Sequence, residues 1–370
     1  MLKSVPYSPP EWAKELQNAP AKKLRLGAFP TPIFPFAPPG LPEGVKLYIK
    51  REDFCGMETS GNKIRRLEFI FQDVVDQKAD CIVTCGGAQS NHCRAAAVAA
   101  RWLGIDSHLV LITDKPEEDP GLVGNLMFYR LLGAKITQCS FQEFIQHGSQ
   151  SILEKTCERL REEKRRPYLI SLGGSGGLGT WGYLSAVDEI QQQLQEDNIE
   201  ITDIAFGSGS GGTAAGIALG AYLQAKHSSQ SAVRFDGTIP VHAYIVVGDD
   251  EYVYKHIDEQ VLPEMGAPPE LTSRDFLQIT DAQGKGYSQS TDEELEFITE
   301  VARATGVVVD PVYSGKALFH LVRELNEHPE KFAGRSILFV HTGGQFCIYD
   351  KTKELQKVCD DNPAQRFKME

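Results

Sequence analysis

The sequence predicts an α/β protein with mainly parallel sheets, and three observations carry that reading. Short apolar runs alternate with amphipathic helical stretches along most of the chain, as strands joined by crossover helices do. Two of the runs, at 81–85 and 204–206, lead directly into loops rich in glycine and hydroxyl side chains that open alanine-rich helices. No repeat or low-complexity tract breaks the alternation. With 370 residues of ordinary globular composition, the chain can bury one large core or two modest ones.

Taken in order, the strand candidates are 46–50, 81–85, 108–112, 135–139, 168–171, 204–206, 241–246 and 337–341. A helix is expected to open at Lys63, because Ile64, Leu67, Ile70, Phe71, Val74 and Val75 recur at helical spacing. Ser60 and Asn62 just before it are residue types that cap helices. Further helices are expected from Cys93 to Leu103, over the charged stretch 142–166, and from Ala214 to about Lys226, with a polar loop at 228–237.

A formal net charge of −12 gives no support for binding nucleic acid or an acidic membrane surface. No segment has the unbroken apolar run of a membrane helix. The first residues show neither a signal-peptide core nor transit-peptide character, so the cytosol is expected, with a mitochondrial location open if a transit segment has been removed. The eight cysteines show no disulfide framework and fit a reducing compartment. Cys81, Cys85 and His92 do not make a zinc site: positions four apart on a strand are separated by about 13 Å, and zinc–sulfur bonds are near 2.3 Å.

The chemistry gathers in three segments. Lys63 stands in the first turn of its helix, where the dipole disfavours a cation, so its amine has reason to be neutral and nucleophilic. Downstream, Gly207-Ser208-Gly209-Ser210-Gly211-Gly212-Thr213 lies between a strand and a helix, an arrangement that cradles an anion with backbone N–H groups and three hydroxyls. The glycines also satisfy G-x-G-x-x-G, but no acidic residue follows at the spacing a dinucleotide ribose requires, and no Gly-Lys-Ser/Thr follows for a nucleoside triphosphate. A terminal phosphate monoester suits the hydroxyls better. A nucleophilic lysine with such a cradle points to pyridoxal phosphate. Lys316 competes with Lys63 for the lysine role, and the pattern alone leaves both, with Lys63 preferred for its capped, glycine-preceded position. The third segment, Gly86-Gly87-Ala88-Gln89-Ser90-Asn91-His92, sets hydroxyl and amide donors at another helix start, suited to an amino-acid carboxylate. Ser90 and Asn91 read equally well as ordinary caps, and His92 alone reads as a structural histidine.

The motifs SGNKIRRLE, GGAQSNHCRAAAVAARWLG, GGSGGLGTWGY, GSGSGGTAAG, DPVYSGKA and HTGG stand in the order found in fold-type II pyridoxal-phosphate enzymes. In them the chain resembles the D-cysteine desulfhydrase and 1-aminocyclopropane-1-carboxylate deaminase branch, nearest its plant-type D-cysteine desulfhydrases, over nearly its whole length. The resemblance implies a tryptophan-synthase-β-like fold, two open twisted sheets flanked by helices. It also implies a large cofactor domain of residues 1–65 and 179–370, a small domain of 66–178, and a homodimer. Lys63 would be the Schiff-base lysine and the base at Cα. Ser208, Gly209, Ser210, Gly211, Gly212 and Thr213 would hold the phosphate, and Asn91 the phenolate oxygen. Gln89, Ser90, Asn91 and His92 would meet the substrate, Ser90 contacting its carboxylate or exchanging a proton, and Tyr287 and Tyr313 would be the active-site tyrosines. Ser314 and Thr342 would face the pyridine nitrogen, where the deaminases carry glutamate and leucine. A carboxylate there favours a protonated ring, and a hydroxyl favours a neutral, weaker electron sink. The hydroxyl pair therefore argues for β-elimination of a good leaving group such as hydrosulfide, with ring opening of the cyclopropane substrate, or elimination from cysteate or another β-substituted amino acid, as the alternatives.

Overall fold

The computed structural model describes residues 2–227, 241–359 and 363–369, so the loop expected at 228–237 lies outside the described residues. In chain order the strands are β1 (Ser4–Pro6), β2 (Lys22–Leu24), β3 (Ile33–Pro35), β4 (Lys46–Arg51), β5 (Cys81–Gly87) and β6 (Asp106–Thr113). They continue with β7 (Lys135–Ser140), β8 (Pro167–Leu169), β9 (Asp203–Ser208), β10 (Val241–Ile245), β11 (Gln278–Asp281) and β12 (Ser336–His341). A six-stranded sheet has the order β11-β10-β9-β12-β4-β3 and a four-stranded one the order β7-β6-β5-β8. All neighbours run parallel except β3 against β4, while β1 and β2 form a separate antiparallel pair.

Every strand candidate forms, with ends shifted by a residue or two. The run at 168–171 is the one displaced toward its start, because Leu172–Gly174 turns as a 3-10 helix. Sequence reading missed β1, β2, β3 and β11. Each is only three or four residues long and mostly half-exposed, too short to show a period.

The helices that shape the site are α1 (Lys63–Asp76), α2 (Asn91–Trp102), α3 (Asn125–Leu131), α4 (Phe141–Glu162), α5 (Gly177–Glu196) and α6 (Gly212–His227), then α7 (Asp250–His256), α8 (Leu262–Met265), α9 (Asp292–Thr305) and α10 (Ser314–Glu327). Alternation along the strands sorts the core. Ile204 and Phe206 of β9 and Leu338 and Val340 of β12 pack with α5 and α6, whereas Ala205, Ile337 and Phe339 face α9 and α10. In the smaller sheet Ile82 meets α1 and α2, while Cys81, Val83 and Cys85 meet Leu153, Cys157 and Leu160 of α4.

α1 begins where expected but not for the expected reason. Asn62 has helical dihedrals (φ −58°, ψ −17°) and makes no side-chain cap. Its Nδ2 instead donates to Thr213 Oγ1 at 3.2 Å, and Ser60 Oγ donates to the Asp53 carbonyl at 2.9 Å. Tertiary partners outbid the local caps. A buried ionic cluster then anchors the helix: Arg65 Nε lies 2.5 Å from Glu52 Oε2 and its Nη2 2.9 Å from Glu189 Oε1, and Lys50 Nζ lies 2.5 Å from that same oxygen. These pairs join β4, α1 and α5.

The topology also places the ligand cleft. β9 has β10 on one side and β12 on the other, and β5 lies between β6 and β8, so chain direction diverges at the carboxyl ends of β9 and β5. Such switch points are where open α/β sheets bind ligands. Both glycine loops leave from them.

Candidate active site

The motifs converge at these strand ends. Asn62 N–H donates to the Thr342 carbonyl at 3.0 Å. At Gly61 (φ +108°) a Cβ would stand 2.9 Å from that same oxygen, so only glycine lets the two chains approach. A Cβ on Gly209 would meet Tyr313 at 3.3 Å, and one on Gly87 would meet Tyr287 at 3.1 Å. The two tyrosine hydroxyls are 3.0 Å apart, and Lys63 Nζ lies 5.9 Å from the Tyr313 ring centre. Lys63, Ser210, Tyr287, Tyr313 and Thr342 keep partial exposure among buried neighbours, as residues lining a cleft do.

The Lys63 amine is held toward its neutral form. Withdrawal from water, and then the Arg66 charge, hold its pKa well below the ordinary lysine value, with Asp310 opposing. Lys316 is buried too, but its Nζ donates to the carbonyls of Gln283 (2.5 Å) and Gly286 (3.1 Å) and lies 3.8 Å from Glu294. It clamps the loop that carries Tyr287. Burial pushes the pKa of both Tyr287 and Tyr313 up, so both hydroxyls stay protonated.

The loop after β9 fits a phosphate. Ser208 Oγ is buried with no hydrogen-bond partner, an orphaned donor at the mouth of α6. Arg66, which sequence reading passed over as part of an amphipathic helix, is buried beside it. A Cβ on Gly212 would stand 3.0 Å from Arg66 Nη1. Its guanidinium donates to the Gly173 carbonyl (2.5 Å), Tyr183 Oη (3.1 Å) and Thr213 Oγ1 (2.9 Å). Among the described residues it has no carboxylate partner. A buried cation without a counter-ion at a helix N-terminus is matched by a bound anion. Its spacing from Lys63, three residues along one helix face, was the available signal. Thr213 departs from expectation. Its hydroxyl accepts from Asn62 and Arg66 and donates to Tyr183 at 3.1 Å, so it braces the cradle rather than facing it.

At the other end, Ser314 Oγ and Thr342 Oγ1 are 3.1 Å apart, and Ser314 Oγ also accepts from Thr342 N–H at 3.1 Å. The nearby Asp310 carboxylate is committed: it accepts from the N–H groups of Val312 (3.0 Å), Tyr313 (2.7 Å) and Ser314 (2.8 Å).

The segment after β5 divides. Ser90 caps α2, accepting from Cys93 N–H at 3.2 Å, and the helix starts at Asn91, two residues before the expected Cys93. Gln89 turns its side chain away from the cleft, accepting from Asn125 N–H at 2.9 Å and donating to the Val123 carbonyl at 3.0 Å. His92 is buried with Nε2 2.9 Å from Thr84 Oγ1, and desolvation keeps it neutral. Among the described residues no group of three His, Cys, Asp or Glu side chains is placed to hold a metal.

A sequence profile described as "Pyridoxal-phosphate dependent enzyme" matches residues 24–343. The chain belongs to that family. Relatives within the pyridoxal-phosphate dependent enzymes sharpen the comparison. It is 46% identical over 358 residues (96% of this chain, 86% of the relative) to the "Bifunctional D-cysteine desulfhydrase/1-aminocyclopropane-1-carboxylate deaminase, mitochondrial" of Arabidopsis thaliana. It is 33% identical to a "Putative 1-aminocyclopropane-1-carboxylate deaminase" of Thermotoga maritima, covering 90% of this chain and 99% of the relative. A crystal structure of an "ACC deaminase homologue" superposes with a TM-score of 0.76 at 29% identity, over 94% of this chain and 99% of the other. The α/β architecture of parallel sheets flanked by helices is that of fold-type II, and the cofactor is pyridoxal phosphate.

Proposed function

We propose that this enzyme eliminates hydrosulfide from D-cysteine, giving pyruvate and ammonia after hydrolysis of the released 2-aminoacrylate. The observation that carries the reading is the Ser314–Thr342 hydroxyl pair, 3.1 Å apart, with the nearby Asp310 carboxylate spent on three backbone N–H groups. When bound, pyridoxal phosphate supplies an aldehyde for the substrate amine and a sink for the Cα electrons. Lys63, neutral through desolvation, takes the Cα proton. Tyr287, held protonated and supported by Tyr313, delivers a proton to the departing sulfur. Ser208, Gly209, Ser210, Gly211 and Gly212 hold the phosphate with Arg66 as its counter-charge, and Ser90 and the start of α2 hold the substrate carboxylate. Asn91 would hold the phenolate oxygen.

A second reading, slow ring opening of 1-aminocyclopropane-1-carboxylate, is favoured by the two activities named for the Arabidopsis relative. Side-by-side assays decide between them: sulfide and pyruvate from D- and L-cysteine, and 2-oxobutyrate from the cyclopropane substrate. D-cysteine is expected to be the best substrate, and a preference for the cyclopropane substrate overturns the reading. We further propose that residues 66–178 form the small domain, closing over the cofactor, and that the enzyme works as a homodimer, which sedimentation tests. Free cysteines suit the cytosol or the mitochondrial matrix, and the Arabidopsis relative is named mitochondrial.

A further inference from the structure

Two fully buried polar residues with no role assigned from sequence, Arg94 of α2 and Asn125 at the start of α3, form a chain of hydrogen bonds whose directions are fixed. The Arg94 guanidinium donates from Nη2 to the Ser60 carbonyl at 2.6 Å and from Nη1 to the Glu58 carbonyl, in the segment leading to Lys63. From Nε it donates to Asn125 Oδ1 at 2.9 Å. A guanidinium has no acceptor, so this atom of Asn125 must be its oxygen, and the amide nitrogen points the other way. There Nδ2 donates to the Gln89 carbonyl at 2.8 Å and to Asn91 Oδ1 at 3.0 Å. The Gln89 carbonyl can only accept, which fixes the same orientation a second time. Asn91 therefore has its oxygen engaged, and its Nδ2 is the atom left for the cleft.

We propose that Asn125, locked by Arg94, is a positioning residue that turns the Asn91 amide so that the site receives a hydrogen-bond donor, the group suited to the cofactor's phenolate oxygen. This rests on the proposed role of Asn91. The same guanidinium grips the backbone before Lys63, so the base and the donor are held in register by one buried cation.

The test is a pH titration of the bound-cofactor absorbance in the holoenzyme. Asn125→Asp keeps an oxygen for Arg94 but offers Asn91 a second oxygen, which forces its amide over. Asn125→Leu removes both contacts and serves if the first variant fails to fold. Both are expected to retain cofactor, because the phosphate cradle is untouched. Both should raise the midpoint of the titration by about one pH unit, the scale of one hydrogen bond to a charged oxygen. Asn91→Ala should raise it at least as far. A midpoint that moves in Asn91→Ala but not in the folded Asn125 variants overturns the relay alone. A midpoint unmoved in Asn91→Ala overturns the reading of Asn91 and the relay with it. In the wild type, a crystal structure of the holoenzyme with the Asn91 oxygen turned to the cofactor overturns the proposal without any variant.

Discussion

At the residue scale, hydrogen-bond partners separate the two candidate lysines. Lys63 is withdrawn from water with no acceptor for its proton among the described residues, whereas Lys316 has two carbonyls and Glu294. Borohydride reduction followed by peptide mass spectrometry should therefore place the cofactor on Lys63, and Lys63→Ala should lose both the link and turnover. Lys316→Ala should keep the link but lower kcat, because it frees the loop that carries Tyr287. Recovery of the cofactor on Lys316 would reverse the assignment. The cradle gives a second prediction. Arg66→Met removes the buried counter-charge and should weaken cofactor retention by about 1.5–3 kcal/mol, the range for hydrogen bonds to charged groups, measured by equilibrium dialysis. Thr213→Ala should act differently. It leaves Asn62, Arg66 and Tyr183 short of a partner, so it should cost about 1–3 kcal/mol of folding stability and less cofactor affinity than Arg66→Met. Lys63 was legible because the sequence pattern singles out a helix start. Arg66 was not, because nothing in KIRRLEF tells which of two adjacent arginines finds carboxylates and which finds none.

At the element scale, the placement of α1 depends on the Glu52–Arg65–Glu189–Lys50 cluster. Glu189→Leu leaves Arg65 and Lys50 buried with one carboxylate between them, and removing one partner of a buried pair costs about 3–5 kcal/mol. Chemical denaturation should read that loss, and KM for D-cysteine should rise in what remains folded, since Lys63 sits at the mouth of the displaced helix. An unchanged denaturation midpoint would show the cluster to be dispensable. The alternation on β9 and β12 and the helical stripe on α1 were readable because each sets a period. The short strands β1, β2, β3 and β11 were not, since pairing partners rather than their own residues make them strands.

At the scale of the whole molecule, the same cluster sets an acid limit. Arg65 and Lys50 overcome the burial of Glu189 and hold its pKa at about 2 in the folded protein, against about 4.3 in an unfolded chain. A carboxyl whose pKa is lowered by folding stabilises the fold above its unfolded value. As pH falls from about 4.3 toward 2 the unfolded chain takes up a proton that the folded one refuses, and that stability is lost. Melting temperature should fall through that window in the wild type, and less steeply in Glu189→Gln. The branch assignment belongs to this scale too, because Ser314 and Thr342 come from distant segments. Ser314→Glu with Thr342→Leu should depress desulfhydration and allow slow formation of 2-oxobutyrate, as a carboxylate at the ring nitrogen strengthens the electron sink. If the double variant gains no cyclopropane turnover and keeps full desulfhydration, these positions do not set the reaction.

The sequence by itself determined the α/β class and the cofactor, and it singled out the candidate lysine, anion loop and tyrosines, because each lies in a contiguous stretch with a period or a motif. Only the tertiary structure decided what those side chains face. It turned Thr213 and Gln89 away from the cleft, took Asn62 from capping to cross-linking, and set Arg66 and Asn125 beside it. The reason is that a buried polar atom takes whichever partner the fold brings within about 3 Å, and that partner lies on average far away along the chain, beyond the reach of any local pattern.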